Sequence, residues 1–304
     1  MDKMTFEQFT DAIVNNIKDY LPGGFADASV ALQTITKNND HKLTGLTIRS
    51  TSSNISPTIY LEQYCEEYKD GADIRNILSD IADVRLRHEV RDCFDIRQIT
   101  DFGLVKDKIV PRLSSLEWNS DLLEIRPHTQ IADLAVTYCI MLKADNTGVT
   151  SIPVTFQLME TWGVDVVTLH ELAVRNLTRL FPTTFVSMSS MLRGLLPAIE
   201  EDDSSDGLIP QDDMMFILTS DQKLNGAANI LDKAMMDSIL ERFGSDFYLL
   251  PSSIHEWILV SDKELNPSFL TSMVQEVNAG EVALEERLSS HVYRYTASEG
   301  LICA

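Results

Sequence analysis

Cysteine is scarce and scattered. The 304-residue chain carries four, Cys65, Cys93, Cys139 and Cys303, with no CxxC pair and no regular spacing. That pattern argues against a disulfide framework or a zinc site and fits reduced thiols in a cytosolic protein. Positive charge is also short: 25 Lys and Arg stand against 46 Asp and Glu, for a net charge of −21. Nucleic-acid affinity rests on Lys and Arg displacing counterions, so a surface this acidic excludes nucleic acid as a partner. The same charge disfavours anionic membranes. The favoured reading of the charge is solubility in a crowded cytoplasm, and the sharper one is a basic protein or a cationic ligand as partner. No apolar run approaches the ~18 residues of a membrane span. The opening MDKMTFEQFTDAIVNNIKDYL has no h-region of a signal peptide. GxSxG, Walker A and GxGxxG are all missing, so no cofactor is expected. His170-Glu171 resembles the start of a zincin helix, but position 174, where the second His belongs, is Val.

What is present describes an ordinary folded protein. Apolar residues make up 44% and charged residues 23% of the chain, which rules against wholesale disorder. The length suggests about two domains. Thr5 and Gln8 form a capping-box spacing ahead of a helix over 5–20, whose apolar stripe is Phe6, Phe9, Ile13 and Ile17. A hairpin follows over 28–36 and 42–49, turning at Asn38-Asn39-Asp40. Helices are predicted over 61–69 and 74–92, strands over 108–116, 131–143 and 149–156, and a helix over 154–181 broken near Trp162-Gly163. Beyond an acidic stretch, the pattern predicts a strand at 214–219, a helix over 225–243 ended by Gly244, and strands at 246–250 and 254–260. Asn266 caps a last helix with Pro267 at its first position. Helices and strands do not alternate, so the fold class is α+β, with mixed helices and mainly antiparallel sheets in two lobes. The expected organisation is an N-terminal lobe over 1–199, an acidic linker over 200–213 and a C-terminal lobe over 214–304.

One block concentrates the candidate chemistry. In Asp246-Phe-Tyr-Leu-Leu-Pro-Ser-Ser-Ile-His-Glu-Trp-Ile-Leu-Val260, two apolar strands flank a Pro-Ser-Ser turn and a His255-Glu256 pair. Strand neighbours point to opposite faces. Glu256, Ile258 and Val260 therefore share one face, and Trp257 and Leu259 the other with His255. A regular strand thus separates the His from the Glu. In the last helix, Phe269, Met273 and Val277 read as the inner stripe, which brings Glu276 to the inner edge with Arg287 or Arg294 as its partner. His255, Glu256, Glu276, Asn278 and Ser252 are the candidate catalytic or ligand-site residues. Asp202, Ser204, Asp206 and Asp213 fall at EF-hand positions 1, 3, 5 and 12 with Gly207 at 6. Position 12 is Asp rather than Glu, and an apolar strand pattern follows, so a solvated acidic linker is the favoured reading.

Several blocks resemble the bacterial family catalogued as domain of unknown function 5688. They are Leu249-Leu-Pro-Ser-Ser-Ile-His-Glu256, Met273-Val-Gln-Glu-Val-Asn278, Glu285-Glu-Arg-Leu-Ser-Ser-His-Val-Tyr-Arg-Tyr295, Lys37-Asn-Asn-Asp-His-Lys-Leu-Thr-Gly-Leu-Thr-Ile48, Pro57-Thr-Ile-Tyr-Leu61, Trp162-Gly-Val164 and Leu169-His-Glu-Leu-Ala173. A related family, domain of unknown function 1444, has a similar Pro-Ser-Ser-Ile-His-Glu block. The resemblance implies a cytoplasmic protein of Firmicutes and supplies no activity, cofactor or catalytic residue. The resulting expectation is a non-enzymatic binding or interaction protein. The alternative is a hydrolase with its site near the Pro-Ser-Ser-Ile-His-Glu turn. The third is a Ca²⁺-responsive protein working through the acidic loop.

Overall fold

The computed structural model describes residues 3–51, 53–89, 94–145, 148–195, 215–262 and 265–304. The stretch holding Asp202, Ser204, Asp206 and Asp213 lies outside them. The chain clusters into two compact units: residues 1–37 with 41–96, and 38–40 with 97–304. This division differs from the expected 1–199 and 214–304, and strand pairing runs straight across the acidic interval, as described below.

The first unit starts with α1 (Phe6–Asn16), whose Thr5–Gln8 capping box forms in both directions. Phe9, Ile13 and Ile17 go fully into the core, as the helical stripe requires. Strands β1 (Ser29–Thr36), β2 (Lys42–Arg49) and β3 (Thr58–Tyr60) form an antiparallel sheet in that order. Leu46 and Ile48 of β2 meet Ile77, Leu78 and Ile81 in the same core. These last come from α3 (Ile74–Arg87), which follows α2 (Glu62–Lys69).

The second unit opens with two short helices, α4 (Arg97–Thr100) and α5 (Phe102–Val105), then β4 (Ile109–Ser115) and α6 (Ser120–Leu123). Strands β5 (His128–Ile131), β6 (Leu134–Asp145) and β7 (Gly148–Pro153) complete an antiparallel sheet with β4. The long apolar run of β6 serves two neighbours on one edge: its first half pairs with β5 and its second half with β7. Helices α7 (Phe156–Trp162) and α8 (Val166–Leu180) break at Gly163, which adopts the left-handed C-cap at φ 67°. Leu169, Ala173 and Leu177 of α8 pack into the main core.

The second sheet of this unit has six strands. β8 (Thr183–Ser187) precedes α9 (Met188–Leu195), and β9 (Met215–Ser220) follows the acidic interval. Next come α10 (Lys233–Phe243), β10 (Phe247–Ser253), β11 (Glu256–Ser261), α11 (Pro267–Gly280), β12 (Tyr293–Thr296) and β13 (Gly300–Cys303). The spatial order is β13-β12-β10-β11-β9-β8, and every pairing is antiparallel. β8 and β9 pair from Thr183↔Ser220 to Ser187↔Phe216. An α+β fold with antiparallel sheets is therefore what the chain forms. Among the described residues, no helix is long and apolar enough to cross a membrane.

Two local expectations are corrected. Pro251-Ser252-Ser253 is the end of β10, not a turn; the hairpin turns at Ile254-His255. Proline is tolerated there because β12 pairs β10 only from Phe247 to Leu249, so Pro251 has a neighbour on one side. In α11 the inner face is Leu270, Val274 and Asn278. Phe269 and Val277 are instead 62% and 45% exposed. The helix carries two adjacent apolar stripes, and the sheet residues Tyr248, Leu250 and Val260 take the Leu270–Val274 one.

Candidate functional site

His255 sits at the tip of the β10–β11 hairpin, outside the regular strand, because the register shifts between Pro251 and Ser253. Its ring is held on both sides. Nδ1 accepts the backbone N–H of Asn225 at 2.9 Å, and Nε2 lies 3.6 Å from Oε1 of Glu286. An Nδ1 that accepts leaves the ring proton on Nε2, toward the carboxylate. The backbone is tied as well. The His255 carbonyl accepts from Thr219 Oγ1 at 2.8 Å, and its N–H donates to Ser253 Oγ at 3.0 Å. Gly226 packs against this turn so closely that a Cβ there falls within 2.6 Å of the His255 carbonyl oxygen and of Thr219 Oγ1.

The other candidates go elsewhere. Ser252 Oγ donates to Glu256 Oε1 at 3.1 Å. Glu276 is exposed on α11, a consequence of the one-residue offset of the inner stripe. Its expected partners are engaged away from it: Arg287 Nε donates to the Val282 carbonyl, and Arg294 bridges Asp246 at 3.0 Å and Asp262 at 2.7 Å. Asn278 is buried and donates Nδ2 to the carbonyl of Ser289 at 2.9 Å. Among the described residues, no hydrogen bond or ion pair of His255 runs to Glu276, Asn278, Ser252 or Glu256. No group of three or more His, Cys, Asp or Glu among them is placed to hold a metal ion.

A second cluster escapes sequence reading. Asp133 follows Ala132, a non-glycine residue at φ 51° in the turn between β5 and β6. Its carboxylate takes the Tyr293 hydroxyl on Oδ1 at 2.5 Å and His291 Nδ1 on Oδ2 at 2.6 Å. Burial pushes the Asp133 carboxyl up, but the Tyr293 and His291 hydrogen bonds outweigh it and hold the group below the usual carboxylate range. Burial, then the Asp133 hydrogen bond, push the Tyr293 hydroxyl far up, so it stays a donor. The Cys303 thiol touches the same carboxylate; burial first and that negative charge second push it up, which keeps it a thiol. His291 donates through Nδ1, and its side chain is 55% exposed, so Nε2 is the ring atom free to face a ligand. Asn278 supports this cluster at one remove: it fixes Ser289, whose hydroxyl accepts the His291 N–H at 3.0 Å. His291 and Asp133 are 158 positions apart, and only the Glu285–Tyr295 block hinted at one half.

A third histidine is half-buried. His170 Nδ1 lies 3.1 Å from both Thr129 Oγ1 and Tyr138 Oη, and burial lowers its pKa.

The class that these features define is an α+β protein with two antiparallel sheets in its larger unit and a carboxylate-oriented histidine at its surface. The chain belongs to the family of unknown function DUF5688, whose model matches residues 6–297. No curated protein and no solved structure matches it.

Proposed function

We propose that this chain is a non-enzymatic interaction protein of the bacterial cytoplasm that binds a basic, amphipathic partner segment. The observation that carries this reading is the exposed apolar pair of α11, Phe269 and Val277. They recur at i and i+8 and are 62% and 45% exposed, with half-buried Met273 between them packing back against the core. They cover about 12 Å of helix, two turns or slightly more. Glu276 on this helix and Glu281 at its C-cap are exposed, in a chain of net charge −21. An exposed apolar pair rimmed by carboxylates is complementary to a helix with apolar residues on one face and Lys or Arg beside them. The chemistry at the hairpin supports the same conclusion, since the His255 ring and the Ser252 hydroxyl are already spent on internal partners.

The test uses two labelled synthetic helices, one Leu/Lys and one Leu/Glu, followed by fluorescence anisotropy against the full chain. The Leu/Lys helix is expected to bind, more weakly at high salt, and at least tenfold more weakly to the Phe269→Ser/Val277→Ser variant. Equal binding of both helices, or an unaffected variant, ends the proposal.

A further inference from the structure

The first unit leaves one edge of its sheet open. β1 is the outer strand of the order β1-β2-β3 and pairs only with β2, over eight consecutive residues without a bulge. Its sequence, SVALQTIT, holds no charged residue and no proline. Natural sheets protect their edges with short strands, prolines, charges or bulges, because an edge offers unpaired N–H and C=O groups to another chain. The other edge strands among the described residues follow that rule. β3, β5, β8 and β13 have three to five residues, β7 has six and ends in Pro153, and β4 carries Pro111 and Arg112. β1 is longer than any of them and has none of these devices.

Its free hydrogen-bonding groups can be named. Thr44, opposite Thr34, turns its N–H to the Glu62 carboxylate and its carbonyl to the Leu61 N–H. The carbonyl of Ile48, opposite Val30, accepts from Ser56 and Arg85. Thr44 and Ile48 thus point away from β1, so their partners point away from β2. By the alternation of the ladder, the backbone groups of Val30, Leu32, Thr34 and Thr36 all face outward. The side chains of Val30 and Leu32 lie opposite the buried Ile48 and Leu46, on the core face, yet Leu32 is 37% exposed. The apolar face therefore runs out to the open edge.

We propose that β1 pairs antiparallel with β1 of a second copy of this chain, about a twofold axis at Gln33, joining two three-stranded sheets into one of six strands. Of the symmetric registers, this one uses all four outward residues: Val30 pairs with the partner's Thr36, Leu32 with the partner's Thr34, and the reverse. No charge meets a like charge along the ladder, although the chain carries −21 overall. The nearest charges in sequence, Asp27 and Lys37, bracket the strand with opposite signs. An antiparallel twofold brings the Lys37 end of each copy against the Asp27 end of the other, and that match selects a second copy over a foreign strand.

Sedimentation equilibrium of the full chain over a range of concentrations tests this, with the fold of each variant checked by circular dichroism. A reversible dimer is expected. Thr34→Pro removes only an outward N–H, which an edge strand tolerates, and is expected to weaken the dimer at least tenfold. Leu32→Lys sets two cations beside the axis and is expected to do the same. Gln33→Cys places two thiols across the axis at a non-hydrogen-bonded pair, with Cα atoms about 4.5 Å apart, and is expected to cross-link under mild oxidation. Ala31→Cys falls four residues out of register with its own copy and is not; the linked peptides are identified by mass. A monomer at every concentration up to the millimolar range, a dimer that either Thr34→Pro or Leu32→Lys leaves unchanged, or a link at position 31 as fast as at 33 overturns the proposal.

Discussion

His255 and His291 lie in the same unit and each stands beside a carboxylate, yet their rings are used in opposite ways. His255 has a neighbour at each nitrogen, one accepting the Asn225 N–H and the other facing Glu286. Its side chain is 24% exposed. His291 gives one nitrogen to Asp133 and leaves the other at the surface. A histidine–acid pair in sequence thus says little about availability. The backbone around the ring decides: a tight hairpin consumes His255, whereas the open segment before β12 leaves His291 oriented and accessible.

The largest expected effect comes from the packing that makes the hairpin tight. Gly226→Ala forces a Cβ against the His255 carbonyl, Thr219 Oγ1 and the Ser220 backbone. We expect a loss of about 3 kcal/mol, read from the urea midpoint; an unchanged midpoint shows that the turn yields. Tyr293→Phe comes next. It removes a hydrogen bond from a fully buried ring to the Asp133 carboxylate, for about 2 kcal/mol. The same carboxyl is held below its usual range in the folded state. Its contribution is therefore complete above the unfolded-state value of about 3.9 and disappears as pH falls through the lower native value. Asp133→Asn is expected to flatten the acid limb of the stability curve, and a limb of unchanged slope refutes the assignment.

His255→Ala deletes the acceptor for the Asn225 N–H, which sits in a left-handed residue at φ 51°. About 1 kcal/mol is expected, with the Asp133–His291 hydrogen bond untouched. The direct contrast is chemical: diethyl pyrocarbonate followed by peptide mass analysis should label His291 well before His255, and the reverse order breaks the comparison. Smallest of all, Glu276→Gln leaves the urea midpoint where it was, because the carboxylate is exposed; a marked shift restores it to the inner face.

Much of the fold was legible because short-range rules dominate where they are strong. Thr5–Gln8, Gly163, Gly244 and Asn266-Pro267 mark helix ends by local hydrogen bonding and φ alone. The alternation in β11 correctly separates Trp257 and Leu259 from Ile258 and Val260, which enter different cores. Legibility failed where two local patterns tie. In α11 both Phe269–Met273–Val277 and Leu270–Val274 are helical stripes, and only the sheet beneath selects one. It also failed where distance in the chain hides a pair, as with Asp133 and His291. The domain reading placed its break at the most polar stretch, but strand pairing of β8 with β9 ignores composition.

The Asn38-Asn39-Asp40 turn counts with the second unit, and its amides reach residues made much later. Asn38 and Asn39 donate to the carbonyls of Leu284, Glu285 and Arg287, across 245 to 249 positions. Asn39 also exchanges two bonds with Asn119, and Asp40 accepts the N–H groups of Asp121 and Leu122. During synthesis, the Asn38 and Asn39 side chains leave the ribosome long before their last acceptors exist. Closing contacts of such separation is slow. The nascent chain therefore carries a half-made latch until the segment before β12 has emerged, and the early turn is fully tied only when those late residues arrive.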